Sequence, residues 1–187
     1  MNKIGILGYG EVGQAIAKFY PSTGSGQAKI NDLKRDDGLN GVDILHICLP
    51  WSDKFIETVK KEIKRIKPKL TIIHSTVPPG TVKKIGGMTV HSPIRGIHPH
   101  LYEGIKTFVK YIGADNKKAG ESAKDHLEGL GIKTKVFYPS ITTEIGKILD
   151  TTYYGLIIAW HGHKKKLCDK FGINLDEAVT NFNQTYN

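Results

Sequence analysis

Cysteine is scarce: Cys48 and Cys168 are the only two in 187 residues. Two thiols cannot build a zinc site by themselves, and they make a disulfide framework implausible, so the chain reads as a protein of the reduced cytoplasm. Long apolar runs are missing as well. The longest, Ile44 to Leu49 and Gly155 to Trp160, fall far short of a bilayer span, and no membrane partner is expected. The chain passes from Met1-Asn2-Lys3 straight into a short apolar strand and a glycine turn, without the pattern of a signal peptide. Acidic residues are outnumbered, 18 Asp and Glu against 27 Lys and Arg, which leaves a net charge of +9. That balance favours anionic partners such as nucleotides, phosphorylated sugars or nucleic acid without choosing among them. Signatures of RNA-binding, zinc-finger and helix-turn-helix modules are all lacking, which ranks nucleic acid last. The run Lys60, Lys61, Lys64, Arg65 and Lys67 reads as a solvated helix face.

What remains is an ordinary globular composition, 39% hydrophobic and 24% charged, long enough for a core without covalent staples. Apolar runs at 3–7, 28–32, 42–49, 70–74, 88–91, 108–112 and 133–137 predict strands. Helical spacing predicts helices over 11–19, from a cap at Ser52 to about Ile66, and over 117–130. A short helix is expected after the turn Pro78-Pro79-Gly80. Strands alternating with helices predict an α/β fold, a doubly wound, mainly parallel sheet covered on both faces. From Ile141 the strands stop. A long helix to about Phe171, a stop at Gly172 and a last helix over 175–182 capped by Asn174 are expected. The organisation is thus a Rossmann-type dinucleotide-binding domain over 1–140 and a helical segment over 141–187.

Gly8-Tyr9-Gly10-Glu11-Val12-Gly13 is a G-x-G-x-x-G that follows a predicted strand and opens a predicted helix, the context in which this motif carries meaning. Gly8 suits the tight turn, Gly10 lets backbone approach a pyrophosphate, and Gly13 lets the helix pack on the strand. Asp32, 19 residues on, ends the second strand. Its carboxylate can take the hydroxyls of an adenosine ribose and would repel a 2′-phosphate, which favours NAD over NADP; Lys34 and Arg35 are the residues that could reverse this. Otherwise Asp32 is a plain turn residue. Cys48-Leu49-Pro50 and Ser75-Thr76 end two later strands, where open α/β sheets bind ligands, and the hydroxyls of Ser75 and Thr76 could reach the cofactor or simply serve turns.

Ile4 to Gly13, Asp43-Ile-Leu-His-Ile-Cys-Leu-Pro50 and above all Ser75-Thr-Val-Pro-Pro-Gly-Thr81 resemble the NAD-binding domain of UDP-glucose/GDP-mannose dehydrogenases in motif, order and spacing. Thr142-Thr-Glu-Ile-Gly-Lys147 is similar to that family's T-A-E-x-x-K, which opens a long central helix. The resemblance implies an NAD-dependent oxidoreductase acting on the hydroxyl of a small anionic substrate, with Lys147 stabilising an oxyanion or alkoxide and Glu144 beside it on the cleft. The same residues read without it give an exposed ion pair. In the family an asparagine follows the lysine by four residues and both act on substrate; here that position is Thr151. The family's nucleophilic cysteine lies in a further domain, and neither Cys48 nor Cys168 matches it. The expectation is that these 187 residues alone do not complete a two-step oxidation. A dinucleotide-binding module without catalysis, or a degenerate or truncated relative, is the alternative. The resemblance also makes the long helix a dimer element, and its apolar residues Leu156, Ile157, Ala159, Trp160 and Leu167 support a homodimer.

His91-Ser-Pro-Ile-Arg95-Gly-Ile-His98-Pro-His100 follows a predicted strand on the expected nicotinamide side; it also resembles the His-Pro segment of prephenate dehydrogenases. His91 is the candidate proton acceptor, and Arg95, His98 and His100 are candidates for holding an anionic substrate. A metal site would need three or four converging ligands, and no carboxylate partner is evident here, so none is expected. A structural loop is the other reading. His161-Gly-His163 with Lys164 to Lys166 reads as a solvated helix face.

Overall fold

A computed structural model describes residues 2–184; Met1 and residues 185–187, at the two ends of the expected segments 1–140 and 141–187, lie outside the described residues. Eight strands form one sheet in the order β3-β2-β1-β4-β5-β6-β7-β8. They are β1 (Ile4–Leu7), β2 (Lys29–Asp32), β3 (Arg35–Asp36), β4 (Ile44–Ile47), β5 (Leu70–Ile73), β6 (Thr89–His91), β7 (Lys110–Ala114) and β8 (Thr134–Phe137). β1, β2, β4, β5 and β6 run parallel, as do β7 and β8, while β3 lies antiparallel to β2 and β7 antiparallel to β6. This is the doubly wound, mainly parallel sheet that the alternation of patterns predicts.

The helices are α1 (Glu11–Ala17), α2 (Phe55–Ile66), α3 (Thr81–Ile85), α4 (Leu101–Thr107), α5 (Lys117–Glu128), α6 (Ile141–Phe171) and α7 (Asn181–Gln184), with a π-helical turn at Asp176–Thr180. The inner strands are buried on both faces and read as nearly continuous apolar runs for that reason. Their odd and even residues feed two cores. One, around Ile6, Ile72, Val90 and Ile112, is covered by Ile16, Ile105 and Leu127 of α1, α4 and α5. The other, around Leu45, Ile47 and Ile73, is covered by Phe55 and Val59 of α2 and Val82 of α3. The coordinates divide the chain into two compact units, Met1–Lys147 and Ile148–Asn187, so α6 belongs to both.

Some local expectations are corrected. Ser52 does not cap α2 with its hydroxyl: the helix begins three residues later, and the Ser52 carbonyl accepts from the Phe55 N–H instead. The strand expected at 108–112 is displaced to Lys110–Ala114, because Leu101–Thr107 forms a helix whose buried Leu101 and Ile105 complete the first core. Asn174 caps as expected, its side-chain oxygen accepting from the N–H groups of Asp176 and Glu177.

The first core holds a polar chain that no pattern announces. Tyr20 Oη is 2.8 Å from both His46 Nε2 and His126 Nε2, His46 Nδ1 is 2.8 Å from His74 Nε2, and His74 Nδ1 is 3.0 Å from the Ser92 carbonyl. A carbonyl only accepts, so His74 carries its hydrogen on Nδ1. His74 Nε2 therefore accepts from His46 Nδ1–H, His46 Nε2 accepts from the Tyr20 hydroxyl, and Tyr20 accepts from His126. Lys110 Nζ donates to the carbonyls of Ser92, at 2.8 Å, and Pro93, at 3.2 Å. Every ring is satisfied while neutral. Burial drives His46 and His74 well below the usual histidine range, takes His126 to about 4, and pulls Lys110 down to about 7.

Depressed histidines make stability depend on pH in a definite direction. Below the ordinary value of 6.5 the unfolded chain gains protons that the folded one refuses, so stability is lost as pH falls from 6.5 towards 4. Lys110 acts in the higher window, between 10.5 and about 7. Lowering the pH from about 7 to about 5 is therefore expected to cost about 2 kcal/mol for each such histidine. Urea denaturation at the two pH values measures this; an unchanged midpoint would contradict the neutral chain.

Candidate functional site

The carboxyl ends of β1, β2, β4, β5 and β6 define one edge, and the candidate residues of the glycine motif lie along it. Gly8 has φ +93°, a left-handed conformation, and a Cβ there would stand 2.8 Å from the Cys48 carbonyl carbon. A Cβ on Gly13 would stand 2.1 Å from the Gly8 carbonyl oxygen, so α1 can lie this close to β1 only with glycine. A Cβ on Gly10 would meet nothing within 4 Å. Of the three glycines, two are bound by their own fold and one faces open space, the division of labour that a phosphate-binding turn requires. Tyr9 and Val12 are half-buried and Glu11 is exposed at the start of α1.

Asp32 ends β2 beside this turn. Its Oδ2 accepts from the Tyr9 N–H at 2.6 Å and its Oδ1 from the Leu33 N–H at 2.7 Å, which fixes the carboxylate against the motif. Arg35 is engaged elsewhere, donating from Nε at 2.9 Å and Nη2 at 2.7 Å to the two oxygens of Asp37. Cys48 and Leu49 are half-buried and Pro50 is exposed. Burial pushes the Cys48 thiol up to about 12, so it stays protonated and poorly nucleophilic. The Ser75 hydroxyl is turned inward and donates to the Leu49 carbonyl, tying the ends of β4 and β5 together rather than presenting its hydrogen to a ligand. Thr76 is exposed.

The remaining candidates lie in separate places. His91 ends β6, fully buried. Its Nε2 lies 3.1 Å from the Ser75 carbonyl and its Nδ1 2.9 Å from the Thr143 hydroxyl. Nε2 donates to the carbonyl, and Nδ1 faces a Thr143 hydroxyl whose single hydrogen it shares with the Ser140 carbonyl, 3.0 Å from the same oxygen. Burial takes the ring down to about 4. With both nitrogens engaged, the expected role of His91 as proton acceptor does not fit; it pins α6 to the sheet. Thr143 can come this near because residue 113, paired with His91 across β6 and β7, is glycine: a Cβ there would lie 2.0 Å from the Thr143 oxygen.

Glu144 is also buried, and both its oxygens are used. Oε2 accepts from the Gly80 N–H at 2.5 Å and Oε1 from the Val82 N–H at 2.8 Å. Burial raises its pKa, while the two amide bonds oppose that rise. Glu144 holds the Pro-Pro-Gly turn in place, so the cleft-facing catalytic role suggested for it gives way to a positioning one. Lys147, one turn further along α6, is half-buried, and its charge helps depress both His91 and Lys110.

His98 lies with the glycine motif, not with His91: its Nδ1 contacts the Glu11 carboxylate. The Arg95 guanidinium stacks 5.5 Å from the Phe108 ring centre and 5.1 Å from that of Tyr111. His100 is exposed at the start of α4, and Thr151 is exposed in the second unit. Sequence reasoning missed Thr143 as the partner of His91. It also missed His46 and His74, although both stand in otherwise apolar strand runs, where a histidine needs a partner. Among the described residues no three His, Cys, Asp or Glu side chains are grouped to hold a metal ion, and no helix is long and apolar enough to cross a membrane.

Known proteins similar to this chain include nucleotide-sugar dehydrogenases. The chain is 27% identical over 155 residues to a UDP-N-acetyl-D-mannosamine dehydrogenase of Methanococcus maripaludis strain C7, a match covering 79% of this chain and 34% of that protein. The structure of a UDP-D-ManNAc dehydrogenase from Pyrococcus horikoshii superposes with a TM-score of 0.80 at 20% identity, covering 97% of this chain and 57% of that one. GDP-mannose dehydrogenase from Pseudomonas aeruginosa superposes with a TM-score of 0.77 at 15% identity, covering 97% and 56%. No protein-family model matches the chain. The similarity is thus to the N-terminal part of these dehydrogenases, and the chain spans about a third of the length of the curated relative.

The Glu144 assignment is testable without any ligand. Glu144→Gln places an amide where two N–H groups need an acceptor, and it is expected to lower unfolding stability by about 2 kcal/mol with secondary structure retained. Urea denaturation followed by circular dichroism reads this; an unchanged midpoint would contradict the capping role.

Proposed function

We propose that this chain is the dinucleotide-binding and hydride-transfer part of an NAD-dependent oxidoreductase that acts on the CH–OH group of a nucleotide sugar. The observation that carries the reading is the glycine turn, closed by Gly8 and Gly13, open at Gly10, and flanked by the Asp32 carboxylate. The residues fit NAD. The amides of the turn are suited to its diphosphate, and Asp32 to its ribose hydroxyls. The alternative cofactor, NADP, needs a cation for its 2′-phosphate, and the charge of Arg35 is already matched by Asp37. When bound, NAD would accept the hydride removed from the substrate carbon.

The chain's own residues prepare that step. Ser75 and Leu49 lock the ends of β4 and β5 at the edge. His91 and Glu144 anchor the first turn of α6, from which Lys147 supplies a cation to stabilise the substrate oxygen as its proton passes to solvent water. Arg95, held against two rings, and His100 are candidates for the anionic part of the substrate. The family resemblance in the sequence and the UDP- and GDP-sugar names of the similar proteins support a nucleotide sugar as the substrate class.

One observation favours a second reading. His91, the expected base, is locked on both nitrogens. A chain that binds the dinucleotide and leaves turnover to a further domain or subunit accounts for that. Self-association belongs to the proposal as well. Tyr153, Leu156, Ile158 and Trp160 of α6 are each about 60–70% exposed, more apolar surface than an isolated helix keeps in water, and a second copy of the chain is the natural cover. Two free thiols support a cytoplasmic location as part of the same proposal.

Titration with NAD followed by tryptophan fluorescence tests the central reading. Saturable binding is expected, and Gly10→Ala is expected to weaken it by about tenfold, equivalent to about 1.4 kcal/mol, without loss of fold. Asp32→Ala is expected to narrow the preference for NAD over NADP. Binding unaffected by Gly10→Ala would contradict the placement of the diphosphate. NADH formation from UDP-N-acetyl-mannosamine or GDP-mannose then separates enzyme from binding module. Sedimentation velocity is expected to show a dimer; a monomer at micromolar concentration would remove the self-association.

A further inference from the structure

Along one flank of the sheet, rings and cations lie together on a face that the second core does not reach. β7 gives Ile112 and Ala114 to the first core, and Val136 of β8 packs against it. Side chains alternate along a strand, so Tyr111, Lys135 and Phe137 fall on the opposite face. The second core on that side is built from β1, β4, β5, α2, α3 and the loops beside them, and it ends before β7. The first turn of α6 reaches the face at Gly113 through Thr143. Beyond that point Lys135 is exposed, and Tyr111 and Phe137 are half-buried.

These side chains form a row with two others. The Phe108 ring centre lies 5.5 Å from the Arg95 guanidinium, which lies 5.1 Å from the Tyr111 ring centre. Tyr111 and Phe137 meet edge to face at 5.3 Å, and Lys135 Nζ lies 5.2 Å from the Phe137 ring centre. Phe108, at one end, is 45% exposed, and Lys133, two positions before Lys135, is exposed as well. A guanidinium that stacks by its face keeps the N–H groups of its edge for an anion. Carboxylates of the same region serve other bonds: Asp115 accepts from the Ser140 hydroxyl, Glu128 from that of Thr134 and Glu121 from that of Tyr138.

We propose that this face is a second binding surface, for single-stranded nucleic acid, with bases stacking on Phe108 and Phe137 and phosphates paired to Arg95, Lys133 and Lys135. Accessible rings interleaved with cations suit a ligand that carries π faces and negative charge in alternation. An acidic peptide lacks the π faces, a duplex hides them, and a second copy of a chain with net charge +9 has the wrong sign. No nucleic-acid motif marks the surface in the sequence, because its side chains come from three separate segments. The inference does not depend on the glycine turn.

The test is fluorescence anisotropy of a labelled oligouridine of about ten nucleotides, titrated with the chain at several salt concentrations. Arg95 is also named for the substrate, so the variants leave it untouched. Wild type is expected to bind with a dissociation constant of about 10 μM at low salt, and a duplex of the same length more weakly. Phe108→Leu and Phe137→Leu are each expected to weaken binding about fivefold, with circular dichroism unchanged. Phe108 is the more exposed of the two and gives the reading even where Phe137→Leu disturbs the fold. Lys135→Gln is expected to lower the slope of log affinity against log salt by about 0.7. Lys60→Gln, the same charge change on the solvated face of α2, is expected to leave affinity unchanged. Binding that Phe108→Leu leaves intact, a loss in Lys60→Gln as large as in Lys135→Gln, or competition by polyglutamate as effective as by unlabelled oligouridine overturns the inference. So does the lack of saturable binding by wild type. Each of these results leaves the NAD reading standing.

Discussion

The organisation of the sheet edge depends on how closely α1 approaches β1. Gly13 lies so near the Gly8 carbonyl that a single methyl group would collide with it. That contact forces the chain to leave β1, turn through a left-handed Gly8 and enter α1 within three residues. It leaves the backbone at Gly10 exposed while Asp32 is held alongside by the Tyr9 amide. A looser strand-to-helix junction would direct the same amides elsewhere. The anion binding proposed for the turn would thus be a consequence of packing, with no cationic side chain required to create it.

Around that turn, most of the polar side chains expected to perform chemistry perform architecture. His91 and Thr143 fasten α6 to β6, Glu144 fastens α6 to the Pro-Pro-Gly turn, and Ser75 fastens β5 to β4. These bonds join segments up to 64 positions apart. They bring the carboxyl ends of β4, β5 and β6 and the first turns of α3 and α6 into one rigid neighbourhood that includes Lys147. In the adjoining core, Tyr20, His46, His74 and His126 form one hydrogen-bonded chain with neutral rings, and Lys110 donates to two carbonyls beside it. Fully paired, such a network specifies a unique packing; charged, it would be costly.

Much of the fold was legible. β1, β4 and β5 are apolar runs closed by glycine, proline or a polar turn, and the helical spacing of Phe55, Val59 and Ile66 is plain. The glycine motif was legible because strand, turn and helix occur in the right order. β3 was not, since two exposed charged residues carry no pattern and the strand exists only through pairing with β2. α4 was hidden because Gly104 weakens a short helical signal, although that glycine lets α4 lie against the backbone of Arg95 and Gly96. The antiparallel direction of β7 could not be read at all. For the site, residue type pointed to chemistry at His91 and Glu144, while the partners that tie them across the fold, Thr143, Gly80 and Val82, lie more than fifty positions away. The contact of His98 with Glu11, 87 positions away, was equally illegible.

The most direct test of the account is a crystal structure of the chain with NAD bound. The account predicts the diphosphate within hydrogen-bonding distance of the amides following Gly8, with the adenosine ribose hydroxyls on Asp32. A dinucleotide bound elsewhere, or a glycine turn that stays vacant at saturating NAD, would contradict it.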